Sequence, residues 1–490
     1  QELYDGLITI QHRGQDACGM MTYDGKFRIR KGLGLVRDVF HTRHMRNLTG
    51  NVGIGHTRYS TIGSGGANDA QPFLGPSPFG VILAHNGNVF NSPELKKELF
   101  EKDHRLINSD CDAEIILNLF TKALNKQINK TDVKKLKPEH IWKAVESVYQ
   151  RAKGAYSVVA YIAGHGMIAF RDPYGIRPLL FGKRMAGLNP DYIFASESIA
   201  LSLLGFDLVR DVGAGEAVFI DEKTKKVYNK EINKKRHTPC IFEHVYFARP
   251  DSVLDDISVY KSRLRMGKKL VKKIKKTKLD IDVVMPVPDS SRTAAMAIAE
   301  ELNLPYREGL IKNRYIGRTF IMPGQEARKK SIRYKLNPMP IEIKGKKILL
   351  IDDSIVRGNT SKKIIEIMKE AGAKKIYFAS YAPPVKWPCL YGIDTPTREE
   401  LIAAKNSVEE IRKYSGADVL FYGDLEDILD SCLVGNPKIK DMCMACFDGK
   451  YKTGDVDEKI LKRNADARRQ QRMCGRAEIE MEAEDQMNLV

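Results

Sequence analysis

The sequence has 490 residues, of which 43% are hydrophobic and 29% are charged, and its formal net charge is +18. The length predicts two or three domains that each bury a core, and no apolar run is long enough to span a bilayer. Eight cysteines are too few for a disulfide scaffold, so we expect a cytoplasmic protein with no membrane partner. The lysines are dispersed and no aromatic residues alternate with them, which argues against nucleic-acid binding.

The first half of the chain opens with an apolar stretch over residues 3–10, followed by the polar sequence Gln11–Gly14 and by two strands around a turn at Asp24 and Gly25. Further short strands are predicted in two groups, with one or two helices within Glu94–Arg151. Strands in two groups with helices alongside indicate an α+β sandwich. The predicted strands cover residues 50–56, 79–84, 155–162, 166–171, 192–195 and 216–220.

Three polar clusters of this half could together bind free glutamine. Arg58 lies beside hydroxyl side chains at positions 59–61 and suits bidentate binding of a carboxylate. Asn86 and Gly87 follow an apolar strand, and a side-chain amide beside a glycine N–H can form an oxyanion hole. Asp112 begins a helix and could bind an ammonium group. Each cluster also has an ordinary structural explanation: a salt bridge for Arg58, a hairpin turn for Asn86 and Gly87, and a helix N-cap for Asp112.

The second half begins where the chain becomes rich in lysine and asparagine, between Glu222 and His237. We therefore predict domains over residues 1–230 and 231–455, followed by a C-terminal helix and acidic tail over 456–490. A βαβ rhythm in the second domain predicts a parallel sheet with helices on both faces. The predicted elements are the helices Val259–Lys276 and Arg292–Leu302 and the strands Ile281–Met285, Ile348–Ile351 and Ile376–Ala379.

Residues 352–361 carry the strongest chemical signal of the second domain. The adjacent acids Asp352 and Asp353, at the end of a buried strand, suit ribose hydroxyls or a metal, and the small-residue loop after them suits a phosphate. An ordinary turn with two solvated acids is the alternative, although such acids repel each other unless something binds them. The candidate loop residues are Ser354, Arg357, Gly358, Asn359, Thr360 and Ser361.

Two further segments could contribute to the same site. Ser291 ends a loop that precedes a helix, and it is a candidate for contact with a metal or pyrophosphate, with helix N-capping as the alternative. The basic segment 312–330, which contains Lys312 and Arg318, is expected to close over a polyanion. A solvated basic loop is the alternative for that segment.

These motifs, in this order, resemble two known enzyme families. The three glutamine-binding clusters and Gln11–Gly14 resemble the glutaminase domain of class II amidotransferases, whose N-terminal-nucleophile fold is an αββα sandwich. Residues 352–361 resemble the signature of type I phosphoribosyltransferases, which bind phosphoribosyl pyrophosphate (PRPP). From Gln11 to about Tyr451, the combination is similar to the amidophosphoribosyltransferases, the glutamine PRPP amidotransferases that open purine biosynthesis.

The resemblance implies a mechanism with two sites. Glutamine, held by Arg58 and Asp112, would be hydrolysed through a cysteinyl thioester while Asn86 and Gly87 stabilise the oxyanion. The ammonia would move inside the protein and displace pyrophosphate from PRPP, which gives 5-phosphoribosylamine.

The same resemblance implies ligands and partners for the second site. It implies Mg²⁺ at Ser291, Asp352 and Asp353, a homotetramer, and inhibition by purine nucleotides. PRPP would be bound by the acid pair, by the loop residues Ser354–Ser361, and by Lys312 and Arg318.

Four cysteines form a separate candidate set: Cys240, Cys389, Cys443 and Cys446. Four thiolates fit either a zinc ion or an iron–sulfur cubane, and unrelated buried cysteines are the alternative. Their positions match the branch of the family that carries a [4Fe–4S] cluster, so the resemblance implies that cluster rather than zinc.

The family's nucleophile is a mature N-terminal cysteine upstream of Gln11–Gly14. Residue 1 is glutamine, so we expect that nucleophile to be absent from this sequence and Cys18 to be an internal residue that does not replace it. The chain as written is expected to use ammonia but not glutamine. A non-catalytic PRPP or nucleotide sensor with a relic glutaminase is the main alternative. Another class II amidotransferase is a second one, and residues 352–361 argue against it.

Overall fold

The computed structural model describes residues 1–59, 66–129, 136–313 and 336–470. The chain divides into two compact units, described separately below. Unit 1 contains Gln1–Cys240, the short stretch Cys389–Asp394 and the chain from Tyr451 onwards, and unit 2 contains Ile241–Pro388 and Thr395–Lys450. The division therefore falls at residue 240, where the composition of the chain predicted 230. The assignment of Cys389–Asp394 to unit 1 has no counterpart in the sequence-based domain bounds.

Unit 1 contains two antiparallel sheets that pack face to face and a third, smaller sheet. The first has three strands in the order Phe27–Leu33, Ala17–Tyr23, Val52–Arg58. The second has six strands in the order Val227–Glu231, Glu216–Asp221, Gly166–Arg171, Gly154–Ile162, Val81–Val89, Phe73–Gly75. The third has the order Asp207–Asp211, Leu180–Ala186, Asn189–Ala195.

Helices cover the outer faces of the two larger sheets. Met21 and Ile54 of the three-stranded sheet pack with Ile82 and Tyr161 of the six-stranded sheet, so the two sheets share an apolar interior. A larger core joins the other face of the six-stranded sheet to two long helices. The layers are therefore αββα, as predicted. The α-helices of unit 1 are Glu2–Thr9, Val36–Val39, Thr42–Met45, Ser92–Asp103, Asp112–Asn129, Pro138–Arg151 and Ser198–Leu203, with a further helix over residues 458–470.

Unit 2 is built on a parallel sheet of four strands in the order Val283–Pro286, Lys347–Asp352, Lys375–Ser380, Val419–Tyr422. The run Ile348–Ile351 is fully buried, as a strand covered on both faces should be. Two strand pairs lie outside this sheet: Val253–Leu254 with Ile257–Ser258, and Leu310–Lys312 with Leu336–Pro338.

The helices of unit 2 pack an apolar face on this sheet and expose their charges. Helix Val259–Lys276 begins at Ser258, whose hydroxyl accepts the Lys261 N–H at 3.3 Å, and it buries Met266 and Leu270 while its lysines face outward. The α-helices are Val259–Lys276, Arg292–Leu302, Pro340–Ile343, Asn359–Glu370, Ile402–Lys405, Val408–Ser415, Leu425–Leu433 and Ala445–Asp448.

Some sequence predictions lie outside the described residues. They include Arg318 and most of the predicted mobile loop, the hydroxyl residues at positions 60–61, and the acidic tail. Among the helices described, none combines the length and hydropathy needed to cross a membrane.

Candidate active sites

The predicted oxyanion residues of unit 1 lie inside a strand and not in a turn. Strand Val81–Val89 continues through Asn86 and Gly87, which pair with Ser157 and Tyr156 of the neighbouring strand. A Cβ built on Gly87 would lie 2.0 Å from the Ala155 carbonyl oxygen, so only glycine fits there. The hairpin-turn alternative for this pair is therefore wrong.

The Asn86 side chain is held in a defined orientation. Its Oδ1 accepts hydrogen bonds from Arg177 Nε at 3.3 Å and Nη2 at 3.1 Å, and its Nδ2 donates to Ser196 Oγ at 3.3 Å. A guanidinium can only donate, so this contact identifies the carbonyl end of the amide. The two N–H groups consequently point away from Arg177, and one of them bonds to Ser196.

Arg58 ends strand Val52–Arg58 and is 4% exposed. One of its Nη atoms lies 3.5 Å from Asp69 Oδ2, a carboxylate that is also buried. The salt bridge proposed as its ordinary explanation is therefore present. The contact is longer than a good charge-assisted hydrogen bond.

Asp112 begins helix Asp112–Asn129 and is 9% exposed. His85 Nε2 lies 2.9 Å from its Oδ1, and the Val89 N–H donates to its Oδ2 at 2.8 Å. Burial alone would raise the pKa of this carboxyl. The charge and hydrogen bond of His85, the Val89 N–H and Arg58 outweigh burial and hold the pKa below its usual value. Asp112 is thus an ionised carboxylate. Its Oδ1 also accepts a weak hydrogen bond from Cys111 Sγ at 3.8 Å, whereas the Val89 N–H occupies one lone pair of Oδ2.

A second hydrogen-bond network connects the Gln11–Gly14 motif to Glu197. Glu197 is fully buried, and its Oε1 lies 2.6 Å from both Arg13 Nη1 and His12 Nε2. Glu197 directly follows Ser196, the partner of the Asn86 amide. The sequence alone indicates no chemical role for Ser196 or Glu197. The partner of Ser196 is 110 positions away in the chain, and those of Glu197 are 184 and 185 positions away.

Cys18 lies in the fully buried part of strand Ala17–Tyr23. Burial, together with the nearby charge of Asp38, raises the pKa of its thiol to about 12. It is therefore a neutral, inert thiol at physiological pH, in agreement with the prediction that it is not a nucleophile.

In unit 2 the acid pair lies at the carboxyl edge of the parallel sheet. Asp352 is the last residue of its strand, and both acids are at most 8% exposed. The Asp353 N–H donates to Asp352 Oδ1 at 2.9 Å, and Ser354 Oγ donates to Asp353 Oδ1 at 2.6 Å. Ser290 Oγ donates to the other Asp353 oxygen. Ligands of open parallel sheets bind at this edge.

Burial and then the charge of Asp353 raise the pKa of Asp352 well above its usual value. Burial also raises the pKa of Asp353, although Ser290, Ser354 and Arg263 oppose this shift. Two carboxylates forced together out of water form a hard, oxygen-rich donor set that a divalent cation would stabilise. Mg²⁺ fits this pair, because it needs only one or two protein carboxylates beside the phosphate oxygens of its substrate.

Ser291 does not point at the acids. Its side chain is fully buried and its hydroxyl donates to the Val287 carbonyl, one turn back, without capping helix Arg292–Leu302. The neighbouring Ser290 is the residue that contacts Asp353. From the sequence, two adjacent serines could not be told apart.

The loop after the acids leads directly into helix Asn359–Glu370, and Gly358 precedes that helix with φ +77°. This conformation strongly favours glycine. Arg357, Asn359 and Thr360 are exposed, and Ser361 is buried in the first turn. Arg357 Nε lies 3.5 Å from a Glu400 carboxylate oxygen, and Tyr414 donates to Asn359 Oδ1 at 2.6 Å.

Lys312 lies near the end of the described range 136–313, and its ion pair is with Asp289 and not with Asp352 or Asp353. Its Nζ lies 3.3 Å from Asp289 Oδ2, and the lysine side chain is about half exposed. The amino group can therefore exchange this partner for a phosphate without losing a buried contact.

Of the four candidate cluster cysteines, Cys240, Cys443 and Cys446 are buried and Cys389 is half-buried. Within unit 2, the Ile241 N–H donates to the Cys443 carbonyl at 3.2 Å, and the Trp387 N–H donates to the Cys446 carbonyl at 3.0 Å. Over the described part of the chain, no group of three or more His, Cys, Asp or Glu side chains is arranged to hold a metal ion.

Known protein families match both halves of the chain. The sequence matches a glutamine amidotransferase domain over residues 56–202 and a phosphoribosyl transferase domain over residues 256–388. It is 53% identical to the amidophosphoribosyltransferase of Pseudomonas aeruginosa over 96% of this chain and 93% of that protein. The Escherichia coli amidophosphoribosyltransferase is 50% identical over 99% of this chain and 97% of that protein. The chain belongs to the amidophosphoribosyltransferase family.

Solved structures of amidophosphoribosyltransferases show the same fold. The glutamine PRPP amidotransferase of B. subtilis, in complex with ADP and GMP, is 37% identical, with a TM-score of 0.80 over 93% of this chain and 95% of that chain. A structure of the allosteric regulatory enzyme of purine biosynthesis is 38% identical, with a TM-score of 0.81 over 94% of this chain and 95% of that one. The chain is therefore an amidophosphoribosyltransferase enzyme of purine biosynthesis with glutamine amidotransferase and phosphoribosyltransferase domains, and the sensor alternative is not favoured.

Proposed function

We propose that Asn86 and Gly87 stabilise the oxyanion when glutamine is hydrolysed, and that Arg58 and Asp112 hold the α-carboxylate and α-ammonium of glutamine. The observation that carries this assignment is the orientation of the Asn86 amide, whose N–H groups face away from Arg177. Arg58 supports it as a buried cation at the end of its strand, and Asp112 supports it as a buried, ionised carboxylate.

For the second half-reaction, the acid pair Asp352 and Asp353 and the loop Ser354–Ser361 bind PRPP. The backbone N–H groups of a loop that opens a helix favour the 5-phosphate, and the carboxylates accept the ribose hydroxyls. Lys312, and Arg318 outside the described residues, supply positive charge to the pyrophosphate. The exposure of Arg357 and Lys312 supports this role, because both cations can reach a ligand.

Mg²⁺ would be held by Asp352 and Asp353, with Ser291 as the third residue predicted from the sequence. When bound together with PRPP, Mg²⁺ neutralises charge on the pyrophosphate leaving group. The contact between Ser290 and Asp353 favours Ser290 over Ser291 for a position next to the metal.

A [4Fe–4S] cluster on Cys240, Cys389, Cys443 and Cys446 is proposed as a structural group, in preference to zinc. The sequence positions, the burial of three of the thiols, and chain connectivity support this proposal. Cys240 immediately precedes Ile241, and Cys389 follows two residues after Trp387; both of these neighbours bond to the backbone of the Cys443–Cys446 pair. Anaerobic reconstitution with iron and sulfide tests the proposal: broad absorbance near 400 nm that Cys446→Ser abolishes would support it, and stoichiometric zinc would contradict it.

Purine nucleotides are proposed as inhibitors and a homotetramer as the assembly, with a cytoplasmic location. The nucleotide proposal is supported by the B. subtilis relative, which was solved in complex with ADP and GMP. Sedimentation with and without nucleotide tests the assembly, and a monomer under both conditions would contradict it.

The experiment that tests the two-site function is pyrophosphate release from PRPP and Mg²⁺ by the purified full-length protein, with glutamine or ammonium chloride as nitrogen source. We expect the chain as written to release pyrophosphate with ammonium only, because it lacks the cysteine upstream of Gln11–Gly14. The full-length protein of this and the following tests is the same chain extended upstream with a leading cysteine, and we expect it to release pyrophosphate with both sources. Asn86→Ala should lower the glutamine-dependent rate by roughly 10²- to 10³-fold and spare the ammonia-dependent rate. No release with either source, from folded protein that still binds PRPP, would contradict the proposal.

A further inference from the structure

A fully buried arginine lies directly behind the candidate oxyanion residue of unit 1. Arg177 has no solvent exposure, and two of its guanidinium nitrogens donate to Asn86 Oδ1 at 3.3 and 3.1 Å. The two residues are 91 positions apart in the chain. The sequence alone indicates no chemical role for Arg177.

The backbone of Arg177 is itself fixed on several sides. Its carbonyl accepts hydrogen bonds from Ser157 Oγ at 2.9 Å and from Arg171 Nε at 2.6 Å. Its N–H donates to Asp172 Oδ2 at 3.3 Å, and the same carboxylate accepts the N–H groups of Tyr174 and Ile176. The guanidinium is therefore in place before any substrate binds.

This contact has two chemical consequences for Asn86. An unrestrained Asn amide can rotate by half a turn, and that rotation would present its oxygen to the oxyanion and repel it. A guanidinium offers only donors, so it excludes the rotated state. Its positive charge also polarises the amide, which makes the N–H groups stronger donors in a low-dielectric site.

From these contacts we infer that Arg177 is a positioning residue for glutamine hydrolysis, acting through Asn86 without touching substrate. The inference rests on the oxyanion role proposed above for Asn86. It adds that the Asn86 N–H groups owe their strength as donors to Arg177, a cation in the loop after strand Gly166–Arg171.

The test compares glutamine hydrolysis by full-length Arg177→Met, Arg177→Lys, Asn86→Ala and the double variant Asn86→Ala/Arg177→Met. We expect Arg177→Met to lower kcat by roughly 10- to 100-fold with little change in KM, because the transition state loses an oriented donor. Lysine can supply a single charged donor, so Arg177→Lys should recover part of the loss. In the Asn86→Ala background, Arg177→Met should cost nothing further.

Ser157→Ala is the matched control, because it removes a hydrogen bond to the Arg177 carbonyl but leaves the guanidinium against Asn86. It should change kcat by less than about threefold. Ammonia-dependent synthesis, which uses the unit 2 site, should be unchanged in every variant, and thermal melting reports on the folding of unit 1. If Arg177→Met does not fold, the same cycle is run with Arg177→Lys, whose smaller loss should also vanish in the Asn86→Ala background.

The outcomes separate the inference from the proposed function. The role of Arg177 would be overturned if the double variant showed the product of the two single losses in kcat. It would also be overturned if Arg177→Met hydrolysed glutamine at the wild-type rate. An unaffected Asn86→Ala would instead overturn the oxyanion proposal on which it rests.

Discussion

The two candidate sites differ in how the protein treats their buried charges. In unit 1, Asp112 pairs with His85, and Glu197 pairs with Arg13 and His12, so buried carboxylates meet cationic or N–H partners. In unit 2, Asp352 and Asp353 lie against each other, and burial raises the pKa of both. The proposed glutamine site is organised by the protein's own contacts, whereas the proposed PRPP site has a charge arrangement that a cation and substrate would complete.

The largest expected effect follows from removing one acid of the unit 2 pair. Asp352→Asn keeps an oxygen for the Asp353 N–H but removes a charge, so ammonia-dependent pyrophosphate release should fall by at least about 10³-fold. The melting temperature should rise, because a buried like-charge repulsion is relieved. Asp418→Asn, at the opposite edge of the same sheet, is the control and should retain activity. If Asp352→Asn had a lower melting temperature and full activity, the proposed difference in buried charge between the two units would be contradicted.

A second prediction concerns the packing behind the oxyanion strand. Gly392 belongs to the stretch that the structure assigns to unit 1, and a Cβ there would lie 2.7 Å from Gly87 Cα. Its φ of +99° adds strain, so Gly392→Ala should displace Gly87 and lower glutamine hydrolysis by roughly 10²-fold. Gly454→Ala has a similar φ and nothing within 4 Å, so it should behave nearly as wild type. Equal losses in both variants would show that backbone strain alone is responsible.

Cation binding should stabilise unit 2 through the acid pair. At Mg²⁺ a hundredfold above its Kd, binding would add about 2.7 kcal/mol to the free energy of unfolding. Thermal melts should therefore show that Mg²⁺ raises the melting temperature of the wild type, and that it raises the melting temperature of Asp353→Asn by less. An equal rise in the two proteins would place the cation elsewhere.

A further prediction concerns the pH dependence of unit 1. Burial opposes ionisation of Glu197, but Arg13 and His12 outweigh it and lower the pKa of this carboxyl to about 2. A carboxyl whose pKa is lowered on folding stabilises the folded state at pH values above its ordinary pKa of 4.5. That stabilisation is lost as the pH falls toward 2. At pH 7 Glu197→Gln should lose about 3 kcal/mol, and its gap from wild type should narrow below pH 4.5. Urea unfolding between pH 3 and pH 7 measures that gap, and a constant gap would contradict it.

The sequence predicted most accurately the elements whose signals are local. Helices Val259–Lys276 and Arg292–Leu302 lie where their apolar periodicity placed them. Strand Val81–Val89 was predicted to end at residue 84, because polar and glycine residues interrupt its apolar run. It continues because the neighbouring strand Gly154–Ile162 pairs with it to its end.

The sequence predicted which chemical groups belong to each candidate site, but it did not predict the hydrogen-bond partners of those groups. Arg58, Asn86 and Asp112 do lie in one unit, and Asp352 ends its strand as expected. The partners of Asn86 could not be predicted, because Arg177 and Ser196 are 91 and 110 positions away from it in the chain. The entry of Cys389–Asp394 into unit 1 also depends on distant contacts, such as Asn88 Nδ2 donating to the Leu390 carbonyl at 2.9 Å.

The most direct test of the contrast is pyrophosphate release by full-length Asn86→Ala and Asp352→Asn, each supplied with PRPP, Mg²⁺ and either glutamine or ammonium. The account predicts that Asn86→Ala is defective with glutamine only and that Asp352→Asn is defective with both nitrogen sources. An Asp352→Asn protein that still uses ammonium at the wild-type rate would contradict the account.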